Sequence, residues 1–262
     1  VIPRVLILSA AAFGAMALVL GRPATTGAEE RVPVLVELFT SEGCSSCPPA
    51  DALLIRLEKL QPVPGAEIIA LSEHVDYWNR LGWTDPFSSA EFSRRQDDYA
   101  GALGNGSIYT PQMVVDGHTE FVGSDAARAQ AAIAAAAKQV KAAVKLSLAA
   151  NPAKPGEILL RVTAEPPAGA SPEGAEVMLA ITESGLTSDV ARGENSGRRI
   201  SHTGVVRQMK SLGRIPRGAP GGFAAETGLR FPGAWRRENL RAVVFVQDRA
   251  SRRILGAASL PL

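Results

Sequence analysis

The chain has 262 residues, 46% of them apolar and 21% charged, with 28 basic and 26 acidic side chains and only two cysteines. These proportions belong to a folded chain long enough for two domains, and they exclude a disordered segment and a disulfide-dense scaffold. The charges nearly balance and no basic patch interleaved with aromatics occurs, so no nucleic-acid partner is expected.

Residues 1–20 carry a single charge, Arg4, ahead of an apolar run over residues 5–20, and a small, polar stretch follows to Thr26-Gly27-Ala28. The pattern predicts a signal peptide over residues 1–28 and a protein that is periplasmic or secreted. The run is shorter than the ~20 residues that span a bilayer, so no stable membrane anchor is expected after cleavage. Removing residues 1–28 takes away Arg4 and Arg22 and no acid, which leaves 26 basic residues against 26 acidic ones.

Residues 34–39 are short, apolar and β-rich, and Ala50 to Leu60 places Leu53, Leu54, Leu57 and Leu60 on one helical face. A second buried strand is predicted over residues 66–71, ending near His74, so that the two strands and the helix form a βαβ unit with parallel strands. An aromatic loop runs from His74 to Trp83, and a helix is expected from about Ser88 to Leu103. Thr110-Pro111 leads into a strand over residues 112–116, closed by an Asp-Gly turn, and a hairpin continues through Gly123. An alanine-rich helix is expected over residues 125–144, with Ser124 as its N-cap. Beyond it, short strand-like runs separated by Pro and Gly clusters predict an all-β sandwich over residues 145–262.

The two cysteines stand in Gly43-Cys44-Ser45-Ser46-Cys47-Pro48-Pro49, between the first strand and the first helix. Two thiols at this spacing close a ring reversibly, and a helix amino terminus stabilises a thiolate. Proline is tolerated in the first turn of a helix, so Pro48 is expected at the first position with Cys47 as cap, and the residue before a proline is expected to be extended. Cys44 then lies in a looser, more exposed loop and is the candidate attacking thiol. A purely structural disulfide is the bland alternative, but so small a loop is worth only about 2 kcal/mol.

The Cys-x-x-Cys motif, taken with Thr110-Pro111 at the start of a later strand, resembles the thioredoxin fold, in which a cis-proline loop faces the redox motif. The resemblance covers residues 32–144 and implies an α/β thioredoxin-like domain there, with Cys44, Cys47, Thr110 and Pro111 as site residues and protein thiols or disulfides as partners. The chain after residue 28 is also similar to a bacterial family of secreted proteins that have a thioredoxin-like domain and no assigned function. The residues that carry this likeness are those from Glu37 to Asp51, His74-Val75-Asp76-Tyr77-Trp78, Tyr109-Thr110-Pro111-Gln112 and Gly193-Glu194-Asn195-Ser196-Gly197.

Two other functions remain open at this stage. His74 ends a strand on the edge where Cys44 and Cys47 sit, with Glu42 near, and two thiolates with one imidazole suit copper(I) or zinc. In that alternative the chain is a metal carrier, with no cofactor otherwise expected; His118 lies too far along its strand to join the ligands. A non-catalytic interaction module using the sandwich is the other. His202 and the glycine-flanked Glu194-Asn195-Ser196 have no assignable chemistry from sequence.

Overall fold

The computed structural model describes residues 1–2, 31–104, 106–165, 174–217 and 222–262, and Arg31–Leu262 form one compact unit. The signal peptide expected over residues 1–28 lies, apart from its first two residues, outside the described residues. No helix among the described residues is long and apolar enough to cross a membrane.

In chain order the elements are β1 (Val32–Thr40), α1 (Pro48–Leu60), β2 (Ala66–His74), α2 (Ala90–Leu103), β3 (Gln112–Val115), β4 (Thr119–Val122), α3 (Ala126–Ala136), β5 (Ala143–Ala150), β6 (Ile158–Glu165), β7 (Ala175–Glu183), β8 (Leu186–Asp189), β9 (Arg199–His202), β10 (Val205–Ile215), β11 (Phe223–Leu229), β12 (Leu240–Asp248) and β13 (Ile254–Pro261). Eight of the strands form one mixed sheet, in the order β13-β12-β7-β10-β2-β1-β3-β4. β1 and β2 run parallel, as a crossover through α1 requires, and β3 lies antiparallel to β1. β11, β6 and β5 make a second sheet, whose Leu160, Val162 and Ala164 share a core with Val177, Leu179, Ala242 and Val244 of the large sheet.

This architecture corrects the expected fold class of an α/β thioredoxin-like domain followed by a separate all-β sandwich. The described residues hold thirteen strands and three α-helices, and the large sheet draws strands from both sides of residue 144. The join is local and tight. Ser72 pairs with Val205, and the Ser72 N–H donates to the Gly204 carbonyl at 2.7 Å. Gly204 has φ +57°, and a Cβ there would stand 2.6 Å from the Ala70 carbonyl oxygen, so only glycine lets the two strands meet. Such long-range pairing leaves no mark in the local periodicity of either strand.

Smaller departures have equally local causes. The third helix stops at Ala136, because Ala143–Ala150 pair along their whole length with β6; strand pairing overrides the helix propensity of alanine. Its N-cap is Asp125, whose carboxylate accepts from the Arg128 N–H, and Ser124 stands one residue too early. Leu53, Leu54 and Leu57 of α1 are buried as expected, but Leu60 is 64% exposed. After it, Gln61 turns the chain in a left-handed conformation, and its side-chain amide bonds both the N–H and the C=O of Ile68 on the edge of β2 that faces away from β1.

The most demanding contact of the core is polar. Arg95 of α2 is 8% exposed and donates to Glu37 of β1 (2.7 Å), Gln247 of β12 (3.1 Å) and the Tyr99 hydroxyl (3.0 Å). Tyr99 in turn donates to Glu37 at 2.5 Å. Glu73 of β2 lies 3.4 Å from the same guanidinium; burial raises its pKa well above the ordinary carboxyl range against the pull of Arg95, and the neighbouring Glu37 adds to the rise. Removing the cation strands buried carboxyl groups. Arg95→Met is expected to cost about 3–5 kcal/mol, read from urea unfolding at neutral pH; a loss below about 1 kcal/mol would mean that the two acids are satisfied without it.

Candidate functional site

β1 ends at Thr40, and the chain turns through Ser41, Glu42 and Gly43 into the cysteine loop. The Cys44 N–H donates to the Ser41 carbonyl at 3.1 Å and the Cys47 N–H to the Cys44 carbonyl at 3.2 Å, so the loop is two successive tight turns. Cys44 and Cys47 form a disulfide with Cα atoms 5.4 Å apart. Cys47 is the N-cap of α1 and Pro48 and Pro49 fill its first two positions, as the sequence predicts. The backbone of Cys47 is helical (φ −77°, ψ −37°) where an extended one was expected before proline. The greater exposure expected for Cys44 is also absent: both cysteines are wholly buried, while Ser45 and Ser46 above them are exposed. The Cys44 Sγ lies 3.3 Å from the Ser46 hydroxyl.

Thr110-Pro111 is a cis peptide, and it reaches the same edge of the sheet. The Ser46 hydroxyl lies 3.5 Å from the Thr110 carbonyl, and Trp78 Nε1 donates to the Thr110 hydroxyl at 2.8 Å. The structure thus gathers Cys44, Cys47, Thr110 and Pro111. His74 ends β2 in register with Thr40, wholly buried, with Nδ1 2.7 Å from the Asp85 carboxylate. His118 is exposed and lines a separate cleft of about 440 Å³ with Lys141 and Val140.

Behind the disulfide lies a buried polar cluster that sequence reasoning did not assemble. Glu42 is its hub: its carboxylate stands 3.1 Å from His202 Nε2 and accepts from Trp83 Nε1 at 2.8 Å. Its N–H donates to Asp85 at 2.8 Å, and its carbonyl accepts from the Asn195 amide at 2.9 Å. The same amide donates to the Cys44 carbonyl at 2.9 Å, and Glu194 accepts from the Ser45 N–H at 3.0 Å. The rings of His74 and His202 lie edge to face, 4.8 Å between centroids. His74 Nε2, His202 Nδ1 and Asn195 Oδ1 are buried with no hydrogen-bond partner among the described residues.

Two carboxyl groups of the cluster are displaced in opposite directions. Burial would raise Asp85, yet His74 and the N–H groups of Glu42 and Phe87 together hold it below the ordinary carboxyl range. Asp51, one helical turn after Cys47, is pushed up to about 6 by burial, against the opposing pull of His202 and the Thr40 hydroxyl. As for metal, both sulfurs are joined to each other and the free nitrogen of His74 has no thiolate to share. No group of three or more His, Cys, Asp or Glu side chains among the described residues is arranged to hold an ion. Nothing in the sequence pointed to Asp85; Glu42 and His74 were readable as neighbours of the cysteines, and Glu194 and Asn195 stood in a stretch that carries the family likeness without any chemistry attached to it.

Residues 35–247 match the family described as "Protein of unknown function (DUF1223)". Among solved structures, a crystal structure of a protein from Agrobacterium tumefaciens is similar, with 30% identity, a TM-score of 0.64, and coverage of 89% of this chain and 96% of that one. HBP35 of Porphyromonas gingivalis shares the fold at 16% identity and a TM-score of 0.60, over 88% of this chain and 76% of that one. No curated protein matches the chain.

The raised Asp51 has a consequence for stability. Its folded pKa lies above the unfolded value of 3.8, so burial costs nothing while the group is protonated below that value, and the full cost is reached once pH exceeds about 6. A shift of this size corresponds to about 3 kcal/mol. Asp51→Asn keeps an acceptor for Thr40 and is expected to stabilise the protein by up to that amount near pH 8 and by little near pH 4, measured by urea unfolding at both. Destabilisation near pH 8 would show that His202 anchors the carboxylate more strongly than burial opposes it.

Proposed function

We propose that this chain, which belongs to the DUF1223 family, carries out thiol-disulfide exchange through Cys44 and Cys47. The observation that carries the reading is the position of the disulfide: it closes a short loop at the head of α1 that is tied to the buried cluster by the Asn195 amide between the Glu42 and Cys44 carbonyls and by the Asp51 N–H on the Cys47 carbonyl. A loop this small stabilises a fold by only about 2 kcal/mol. The acid beneath it costs a comparable amount. An arrangement that spends its stabilisation on a buried titratable cluster fits chemistry at the sulfurs better than a staple.

In the exchange, a thiolate of a client protein attacks the Cys44 Sγ, the Cys44–Cys47 bond breaks, and its electron pair leaves on Cys47. A second client thiol then attacks the mixed disulfide, so that two electrons and two protons pass from client to protein; the reverse sequence reduces a client disulfide. Cys44 is assigned as the attacked sulfur because it borders the exposed Ser46. The Thr110 carbonyl, at the cis bond to Pro111, lies 3.5 Å from the Ser46 hydroxyl. The setting proposed is an oxidising one outside the cytoplasm, from the signal-peptide pattern of residues 1–28.

The surroundings favour the disulfide over the dithiol. Pro48 and Pro49 remove two of the N–H groups that a helix start would offer a thiolate, and the next two, Ala50 and Asp51, donate to the Cys47 carbonyl. The nearby carboxyl groups also oppose a second negative charge. A redox titration is therefore expected to give a potential near the about −270 mV of thioredoxin; a value near the about −120 mV of a strong oxidant would contradict this account, and one well below about −300 mV would mark a structural disulfide. Trapping supplies the test of the exchange itself. Cys47→Ser is expected to accumulate a mixed disulfide when its Cys44 thiolate attacks a client disulfide and releases the other client sulfur as a thiolate, and Cys44→Ser much less; accumulation only in Cys44→Ser would reverse the assignment, and none in either would sink the exchange.

A further inference from the structure

The loop between β8 and β9 touches the cysteine loop from 149 to 153 positions further along the chain. It is rigidly built. The Val190 N–H donates to the Arg198 carbonyl at 2.9 Å, Gly197 N–H to Val190 at 2.8 Å, and Arg198 N–H to Asn195 at 3.0 Å. Gly193, at φ +76°, packs where a Cβ would stand 3.2 Å from that of Trp83, so the loop is seated against the aromatic segment that Glu42 also holds. From this base Asn195, wholly buried, spans the two carbonyls on either side of Gly43, and the exposed Glu194 caps the Ser45 N–H.

We propose that Asn195 and Glu194 are positioning residues for exchange at Cys44: together they clasp residues 42–45 shut over the disulfide, and a client protein opens the site by displacing Glu194 from the Ser45 N–H. This rests on the exchange reading and adds to it the access step and the client chemistry. With both cysteines wholly buried, no thiolate reaches the Cys44 Sγ in line with the S–S bond until the Ser45 side of the loop swings outward. The two contacts differ in what their release costs. Water replaces Glu194 at an exposed N–H with little loss, whereas losing Asn195 leaves the carbonyls of Glu42 and Cys44 dry and unpaired. Glu194 therefore governs how fast the site opens, and Asn195 governs how the closed disulfide is held. The group that takes the place of Glu194 has to be an acceptor, and an extended polypeptide offers one in the backbone carbonyl beside its own cysteine. In the exchange that follows, the client thiolate bonds to Cys44 Sγ, the S–S pair departs on Cys47, and Cys47 takes up the proton that the client thiol gave to solvent.

The test follows reduction of the folded, oxidised protein by dithiothreitol, quenched with an alkylating agent and read by mass. Glu194→Ala is expected to speed opening about threefold to tenfold, with an unchanged unfolding midpoint, and Glu194→Gln, which retains an acceptor oxygen, to stay close to the wild type. Asn195→Ala is expected to shift the disulfide-to-dithiol ratio in a glutathione buffer about fivefold or more towards dithiol, a readout that loss of packing alone does not move. Equal opening rates in the wild type and Glu194→Ala overturn the access role, and an unchanged ratio in Asn195→Ala overturns the positioning role. Glu194 is on the surface, so its variants decide the matter even if Asn195→Ala does not fold. A disulfide that dithiothreitol leaves closed in all variants alike sinks the exchange reading itself, which separates that failure from failure of the clasp.

Discussion

A single buried guanidinium ties α2 to three strands that are far apart in the chain. Arg95 meets Glu37, Glu73 and Gln247, so β1, β2 and β12 are held to one helix through one charge. The geometry has little freedom: Tyr99, four residues on and therefore on the same helix face, bonds both Glu37 and Gln247. A buried cation among carboxyl groups gains little over an apolar replacement of the whole set, but it is unforgiving of the loss of one member. It therefore fixes where the upper ends of β1 and β2 stand, and Thr40 and His74, which follow Glu37 and Glu73 in register, inherit that position.

From that fixed edge the two ionisable groupings differ in what they border. In the Arg95 set the guanidinium is matched by Glu37, while both carboxyl oxygens of Glu73 are buried without a hydrogen-bond partner among the described residues and burial raises that group. Behind the cysteines three polar atoms lack partners in the same sense, and burial pushes Asp51 up to about 6. Folded chains rarely retain such groups without a use for them. Both groupings carry that cost, and only the second adjoins a disulfide, which is what argues for function there.

Much of the local framework was legible in the sequence. The apolar run of residues 34–39, the helix with its leucines, the strand ending at His74 and the Asp-Gly hairpin all follow from periodicity and turn chemistry, and Pro48-Pro49 located the start of α1. Asp85 was missed although its partner His74 stands eleven positions before it, but the larger misses depend on residues more than a hundred positions away. The Ser72–Val205 pairing joined two regions that local pattern separates, and the fold class was misread for that reason. His202 looked solitary because Glu42 stands 160 positions before it, and Asn195 looked like a turn residue because its donors point at carbonyls, which carry no sequence signal at all. Glu42 itself was noticed only as a neighbour of the cysteines, since nothing local marks it as the meeting point of two histidine pairs.

Gln61 completes a sheet that its strands leave unfinished. β10 pairs with β2 only at Ser72, so Ile68, four residues earlier, meets no strand on the side away from β1. The amide of Gln61 occupies the N–H and the C=O of Ile68 at once, in the manner of a neighbouring strand one residue long. Ile68 is buried, and a buried peptide group left unpaired is costly. A side chain at the end of a helix thus supplies the pairing that the diverging strand does not reach.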